Sequence, residues 1–122
     1  MARRILIMED ERCLRKVYNQ FLTTIGYTVK AVATGEAAIS EYIKDAFDVV
    51  VLDINIVGGL GGKETIKELI IMDPATKAIA MSGDVKPGLI ELGFAKTMMK
   101  PFRLQELKLA IDELMPNLQQ TT

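Results

Sequence analysis

The chain has no histidine, no tryptophan, one cysteine and four prolines among its 122 residues. Without histidine there is no zinc centre of the Cys/His type, no Ser-His triad and no imidazole base. A single cysteine excludes an internal disulfide. Cys13 falls in the first predicted helix and is expected to be an inert, partly buried thiol. No apolar run approaches the ~18 residues of a membrane span. The opening Met-Ala-Arg-Arg leads into only a few apolar residues before acids appear, which is not a secretory signal pattern. The expected compartment is a reducing cytoplasm, with no membrane partner. Excess positive charge is also missing: 15 Lys and Arg face 16 Asp and Glu, for a net charge of −1. The Arg3-Arg4 pair is too short to form a basic stripe, so no direct nucleic-acid contact is expected.

What is present is a globular composition, 49% hydrophobic and 25% charged, in a length that suits one domain. The readable core runs over about residues 3–115 of a single domain, 1–122, and the tail 116–122 after Pro116 is expected to fray.

Two hydrophobic periods alternate along the chain. Residues 4–8, RILIM, form a short continuous apolar run, as expected of a strand covered on both faces. Residues 12–26 carry Leu14, Val17, Tyr18, Phe21, Leu22 and Ile25 at helical spacing, with Gly26 as a stop. Residues 27–32 read as a strand with one wetter face, hence an edge. Residues 34–46 read as a helix with Thr34 as N-cap. Residues 48–53, DVVVLD, are the most apolar and β-branched run and belong at the sheet centre. A helix over 63–73 follows, then a strand over 77–82. Residues 85–93 leave room for only about two helical turns, with Pro87 near the start. A fifth strand over 95–99 and an amphipathic helix over 103–115 complete the series. Strands alternating with helices imply right-handed crossovers and a parallel sheet. Five βα units in this length suit a flavodoxin-like doubly wound α/β fold of strand order 2-1-3-4-5, with a shortened fourth helix.

Ligands of such sheets bind beyond the carboxyl ends of the strands. The first strand ends in Glu9-Asp10-Glu11, the third in Asp53, the fourth in Ser82-Gly83 and the fifth in Lys100-Pro101. Taken singly, each has a bland reading: a helix dipole partner, a turn residue, a turn, a lysine before proline. Together they place carboxylates, a hydroxyl and an ammonium in one crevice. Clustered acids repel one another unless a cation lies between them. Mg²⁺, a hard ion that takes oxygen ligands, suits this set. Asp53 is then a candidate nucleophile for acyl-phosphate chemistry, with Lys100 neutralising phosphoryl charge and Ser82 donating to an incoming oxygen.

The glycine cluster at 58–62, followed by Lys63, raises the alternative of a phosphate-binding loop. That motif requires four residues between its glycines and Ser or Thr after the lysine. Here Gly58 and Gly62 enclose three, and Glu64 follows Lys63. The glycines are expected instead to allow a tight turn with positive φ and to expose the edge of the third helix.

As a set, ILIMEDE at 5–11, DVVVLD ending in Asp53, AMSG containing Ser82 and KPF at 100–102 resemble a response-regulator receiver domain of two-component signalling. The resemblance implies that Asp53 accepts a phosphoryl group. Asp10 becomes a direct Mg²⁺ ligand, Glu9 acts through water, and Asn55 offers its backbone carbonyl. Ser82 becomes the switch hydroxyl, Lys100 the phosphoryl partner, and the Lys100–Pro101 bond cis. It implies a chain that catalyses its own Mg²⁺-dependent phosphorylation and dephosphorylation rather than a conventional enzyme. Its partners would be a histidine kinase or histidine phosphotransfer protein and a downstream protein target, and its state a monomer or weak dimer.

There are departures from the pattern. Val57 stands where the family commonly has proline, and the loop VGGLGGKE resembles receivers of hybrid sensor kinases. Thr97 takes the place of an aromatic switch residue, with Phe94 and Phe102 as nearby aromatics. The stretch from Ser82 to Lys100 is about four residues short, roughly one helical turn. These departures fall on the face that in the family commonly docks partners. They keep open a second reading, a docking adaptor that retains the site without a full phospho-switch. An aspartate-nucleophile phosphatase would need a second acid where Asn55 stands. A flavin-binding protein would not place acids where the phosphate must lie.

Overall fold

The computed structural model describes residues 3–44, 46–56, 59–84 and 87–115. The expectations for the tail from Pro116, for Val57 and Gly58, and for the helix start at 85–86 lie outside the described residues. The strands are β1 (Arg4–Met8), β2 (Thr28–Val32), β3 (Val49–Asp53), β4 (Ala78–Ser82) and β5 (Lys96–Met99). The helices are α1 (Arg12–Thr24), α2 (Gly35–Lys44), α3 (Gly62–Met72), α4 (Leu89–Leu92) and α5 (Leu104–Leu114). The sheet is parallel throughout, in the order β2-β1-β3-β4-β5. The apolar β3 is central and fully buried, and the wetter β2 is an edge, as their patterns require.

Alternation along the strands divides the core into two layers. Leu6, Met8, Val50 and Leu52 point to the face covered by α2, α3 and α4, where Ile66, Leu69 and Phe94 meet them. Ile5, Ile7, Val49 and Val51 point to the opposite face, under Tyr18 and Leu22 of α1 and Leu107 and Ile111 of α5. Each such side chain taken fully out of water contributes about 1.5–3 kcal/mol before entropy is counted.

The helix ends follow local chemistry. Thr34 Oγ1 accepts the N–H of Ala37 at 3.1 Å, so it caps α2. Gly26, at φ 109°, closes α1: its N–H reaches Thr23 O, and the N–H of Tyr27 reaches Leu22 O. This six-to-one and five-to-two pair satisfies the last carbonyls. α4 is shorter than the two turns expected. It is a single turn between Gly88 at φ 84° and Gly93 at φ 118°, two left-handed positions that stop a helix on both sides.

Two further expectations are corrected. Cys13 is exposed, because α1 turns Tyr18 and Leu22 to the sheet and position 13 lies on the far side of the helix. Val17 is likewise 45% exposed. Among the described glycines of the 58–62 cluster none has positive φ, and Gly61 and Gly62 are buried rather than displayed. They are required by close approach. A Cβ on Gly62 would lie 2.9 Å from Asp53 O, and one on Gly61 3.2 Å from Ile54 O. The start of α3 is therefore pressed against the end of β3, where Thr65 Oγ1 donates to Gly61 O at 2.7 Å.

Candidate functional site

The strand register assembles the site. Met8 is level with Leu52, so Glu9 stands beside Asp53; Asp53 is level with Met81, and Ser82 with Met99, so Lys100 follows one step on. The ends of four strands thus converge, although Glu9 and Lys100 are 91 residues apart in the chain.

Glu9 and Asp53 are 1% and 2% exposed, Asp10 is exposed, and one carboxylate oxygen from each lies within 4.8 Å of the others. Lys100 Nζ donates to Glu9 Oε1 at 2.5 Å and to Asp53 Oδ2 at 3.0 Å. The remaining oxygens are also engaged. Glu9 Oε2 accepts the N–H of Glu11 at 3.1 Å, and Asp53 Oδ1 accepts the N–H of Asn55 at 2.9 Å. Two buried carboxylates around one ammonium leave an excess of negative charge, and the exposed Asp10 adds to it.

Burial pushes the Glu9 carboxyl up to about 7, against the pull of its hydrogen bonds from Lys100 and from the Glu11 backbone. Burial by itself would lower the Lys100 ammonium, but its bonds to Glu9 and Asp53 outweigh that effect and hold it above its ordinary value. The positive charge on Lys100 is therefore secure, and the acids around it can accept a second cation. All three offer oxygen, the donor that a hard divalent ion takes.

The fourth and fifth strand ends are arranged differently. Ser82 is buried, but its hydroxyl donates to Asp84 O at 2.7 Å, so it is occupied within its own turn. Asn55 is exposed, and its side-chain Oδ1 accepts the N–H of Gly83 at 3.1 Å, tying the β3 loop to the β4 turn. The Lys100–Pro101 bond is cis. Thr97 is exposed on β5, and no described aromatic takes its place. Phe94 is fully buried in the core layer under α3, and Phe102 stacks on Tyr18 at a centroid distance of 5.6 Å. Neither lies free beside Thr97.

Arg15, which no motif of the sequence marks, also reaches the site. Its Nη1 reaches back from α1 to Glu9 O at 2.9 Å and Asp10 O at 3.3 Å. The available signal was a guanidinium one helical turn inside the element that follows the acids. The Asn55 side chain, too, has a contact that the resemblance does not imply.

The response regulator receiver domain family matches residues 5–112. Sporulation initiation phosphotransferase F of Bacillus subtilis is 29% identical over 120 residues, covering 95% of this chain and 96% of its own. Chemotaxis protein CheY of Thermotoga maritima is 29% identical over 119 residues, covering 93% and 98%. Among solved structures, response regulator TrrA of Thermotoga maritima, in complex with Mg²⁺ and BeF, superposes with a TM-score of 0.84 at 26% identity and covers 93% of this chain and 99% of that one. CheY4 of Vibrio cholerae gives 0.88 at 21% identity, over 94% and 100%, a likeness of fold. The sheet order and the acid crevice at its carboxyl edge agree with that match along nearly the whole chain, which therefore belongs to the response regulator receiver domain family.

Proposed function

We propose that Asp53 accepts a phosphoryl group from a phosphohistidine in a Mg²⁺-dependent reaction. The observation that carries this reading is the grouping of Asp53, Glu9 and Asp10 within 4.8 Å at the end of the central strand, with Lys100 bonded to Asp53. A Mg²⁺ ion held there by Asp10 and Asp53, with Glu9 through water and the Asn55 carbonyl, would supply positive charge to the transferring phosphoryl group.

The chain's own residues do the rest. Asp53 presents a carboxylate oxygen to phosphorus. A new P–O bond forms as the P–N bond to the donor imidazole breaks, and the electron pair leaves with the imidazole nitrogen. Lys100 is already within hydrogen-bond reach of the acceptor and offsets charge on the phosphoryl oxygens. Ser82 exchanges its bond to Asp84 for one to a phosphoryl oxygen, and that exchange carries the signal into the β4–α4 turn. Hydrolysis of the aspartyl-phosphate then restores the carboxylate and releases phosphate.

The donor would be a histidine kinase or histidine phosphotransfer protein, and the output a protein target. The support for an output surface is the β5–α5 side, where Thr97, Met99, Leu109 and Glu113 line an open groove of about 340 Å³. A monomer or weak dimer fits this use. The unit that acts is a single receiver domain. No helix among the described residues is long and apolar enough to cross a membrane.

Incubation with Mg²⁺ and acetyl phosphate, followed by intact mass measurement, tests the reading. A phosphate-sized gain is expected in the wild type and none in Asp53→Asn. An equal gain in both would move the acceptor elsewhere. No gain alongside measurable Mg²⁺ binding would favour a docking adaptor.

A further inference from the structure

The turn between β1 and α1 carries two of the three acids of the crevice, and its one internal side-chain brace is Glu9 Oε2, which accepts the N–H of Glu11 at 3.1 Å. Glu11, the N-cap of α1, makes no side-chain cap bond, and the first turn of the helix contains no acid. Asp10 is exposed, and among the described residues nothing hydrogen-bonds to its carboxylate. With no partner on the carboxylate, the backbone that carries Asp10 and restricts its rotamers is what remains to orient it.

The backbone is held by Arg15. One guanidinium nitrogen bonds both consecutive carbonyls, Glu9 O at 2.9 Å and Asp10 O at 3.3 Å, from a half-buried position on α1. The two N–H groups of that one terminal nitrogen give each carbonyl its own donor. With both carbonyls bonded, the peptide planes on either side of Asp10 are held, and so is the Cα from which its carboxylate comes within 4.8 Å of Glu9 and Asp53.

We propose that Arg15 is a positioning residue for the cation site: it acts through the Glu9 and Asp10 backbone to aim the Asp10 carboxylate at the crevice. This rests on the reading of the crevice as a divalent-cation site. Outer groups that orient ligands commonly alter metal affinity by about 10–100-fold.

The sign of the effect separates positioning from plain electrostatics. Removing a positive charge near the crevice would, by Coulomb's law, tighten cation binding. Loss of positioning weakens it.

The test is Mg²⁺ binding by calorimetry on the folded wild type, Arg15→Ala, Arg15→Lys and Arg15→Gln. Arg15→Ala is expected to weaken binding about tenfold, with Arg15→Lys recovering part of the loss. Phosphorylation by acetyl phosphate should return toward the wild-type rate once Mg²⁺ is saturating. Should alanine prevent folding, Arg15→Gln supplies the same comparison with a longer side chain. Unchanged or tighter Mg²⁺ binding in a folded neutral variant would overturn the proposal while leaving the function intact. A wild type that binds no Mg²⁺ would overturn the cation reading itself, and the proposal with it.

Discussion

The two ends of the crevice are built to different standards. At the β1–β3 end every oxygen of the two buried carboxylates has a partner, β3 is buried along its length and β1 everywhere but at Arg4, and Gly62 has no room for a methyl group. At the β4–β5 end the Ser82 hydroxyl bonds within its own turn, α4 is a single turn between left-handed glycines, and β5 is an edge strand with Thr97 and Met99 exposed. A bond-forming centre needs fixed geometry, because misplacement of reacting atoms costs rate directly. A signalling surface needs a region that can change arrangement at low cost, and such regions have few buried contacts. On the proposed function, the acceptor Asp53 stands at the rigid end, and Ser82 links it to the looser end where the output would be read.

Paired substitutions can break that contrast. The largest difference is expected in phosphoryl uptake. Asp53→Asn should abolish it, and so should chelation of divalent cations. Thr97→Ala should leave its rate within about twofold, since exposed positions away from the chemistry shift free energies by about 0.5 kcal/mol at most. A loss of uptake in Thr97→Ala would show that the two ends are not separable.

Next in size is stability, read by urea unfolding. Leu52→Ala removes a fully buried side chain next to Asp53 and should cost about 2–5 kcal/mol. Met99→Ala, at a side chain 51% exposed, should cost about 0.5 kcal/mol or less. Similar losses at both positions would mean that β5 is as firmly packed as β3.

The smallest pair concerns glycine. Gly62→Ala would push a methyl group to 2.8 Å from Ile54 Cδ1 and 2.9 Å from Asp53 O, a backbone atom that cannot yield. A cost of about 1–3 kcal/mol is expected. For Gly83→Ala the nearest neighbour is Asn55 Oδ1 at 4.0 Å, so the effect on stability should lie within about 0.5 kcal/mol of zero. A neutral Gly62→Ala would remove close approach as the reason for the glycine cluster.

Much of the scaffold was legible because its signals are local. The continuous apolar runs of β1, β3 and β4, the Thr34 cap and the Gly26 stop each depend on residues within a few positions of one another. The positions of Glu9, Asp53, Ser82 and Lys100 at strand ends followed from the same runs. Less legible were features that depend on side-chain reach or on neighbouring elements. Arg15 reads as one more charged helix residue until its contact with two carbonyls is seen. The exposure of Cys13 is not legible locally because it depends on the rotation of α1 about its axis, which is set by Tyr18 and Leu22 packing on the sheet.

By itself, then, the sequence determined the alternation of elements, the parallel sheet and the identity of the groups at its carboxyl edge, because hydrophobic period and turn chemistry are properties of short segments. Only the tertiary structure decided what those groups do to one another. Lys100 joins Glu9 to Asp53, Ser82 turns toward Asp84, Asn55 bridges to Gly83, and Gly61 and Gly62 serve close approach rather than left-handed turning. Each of these depends on distances of a few ångströms between segments far apart in sequence. Such distances are set by strand register and packing, and no local pattern encodes them.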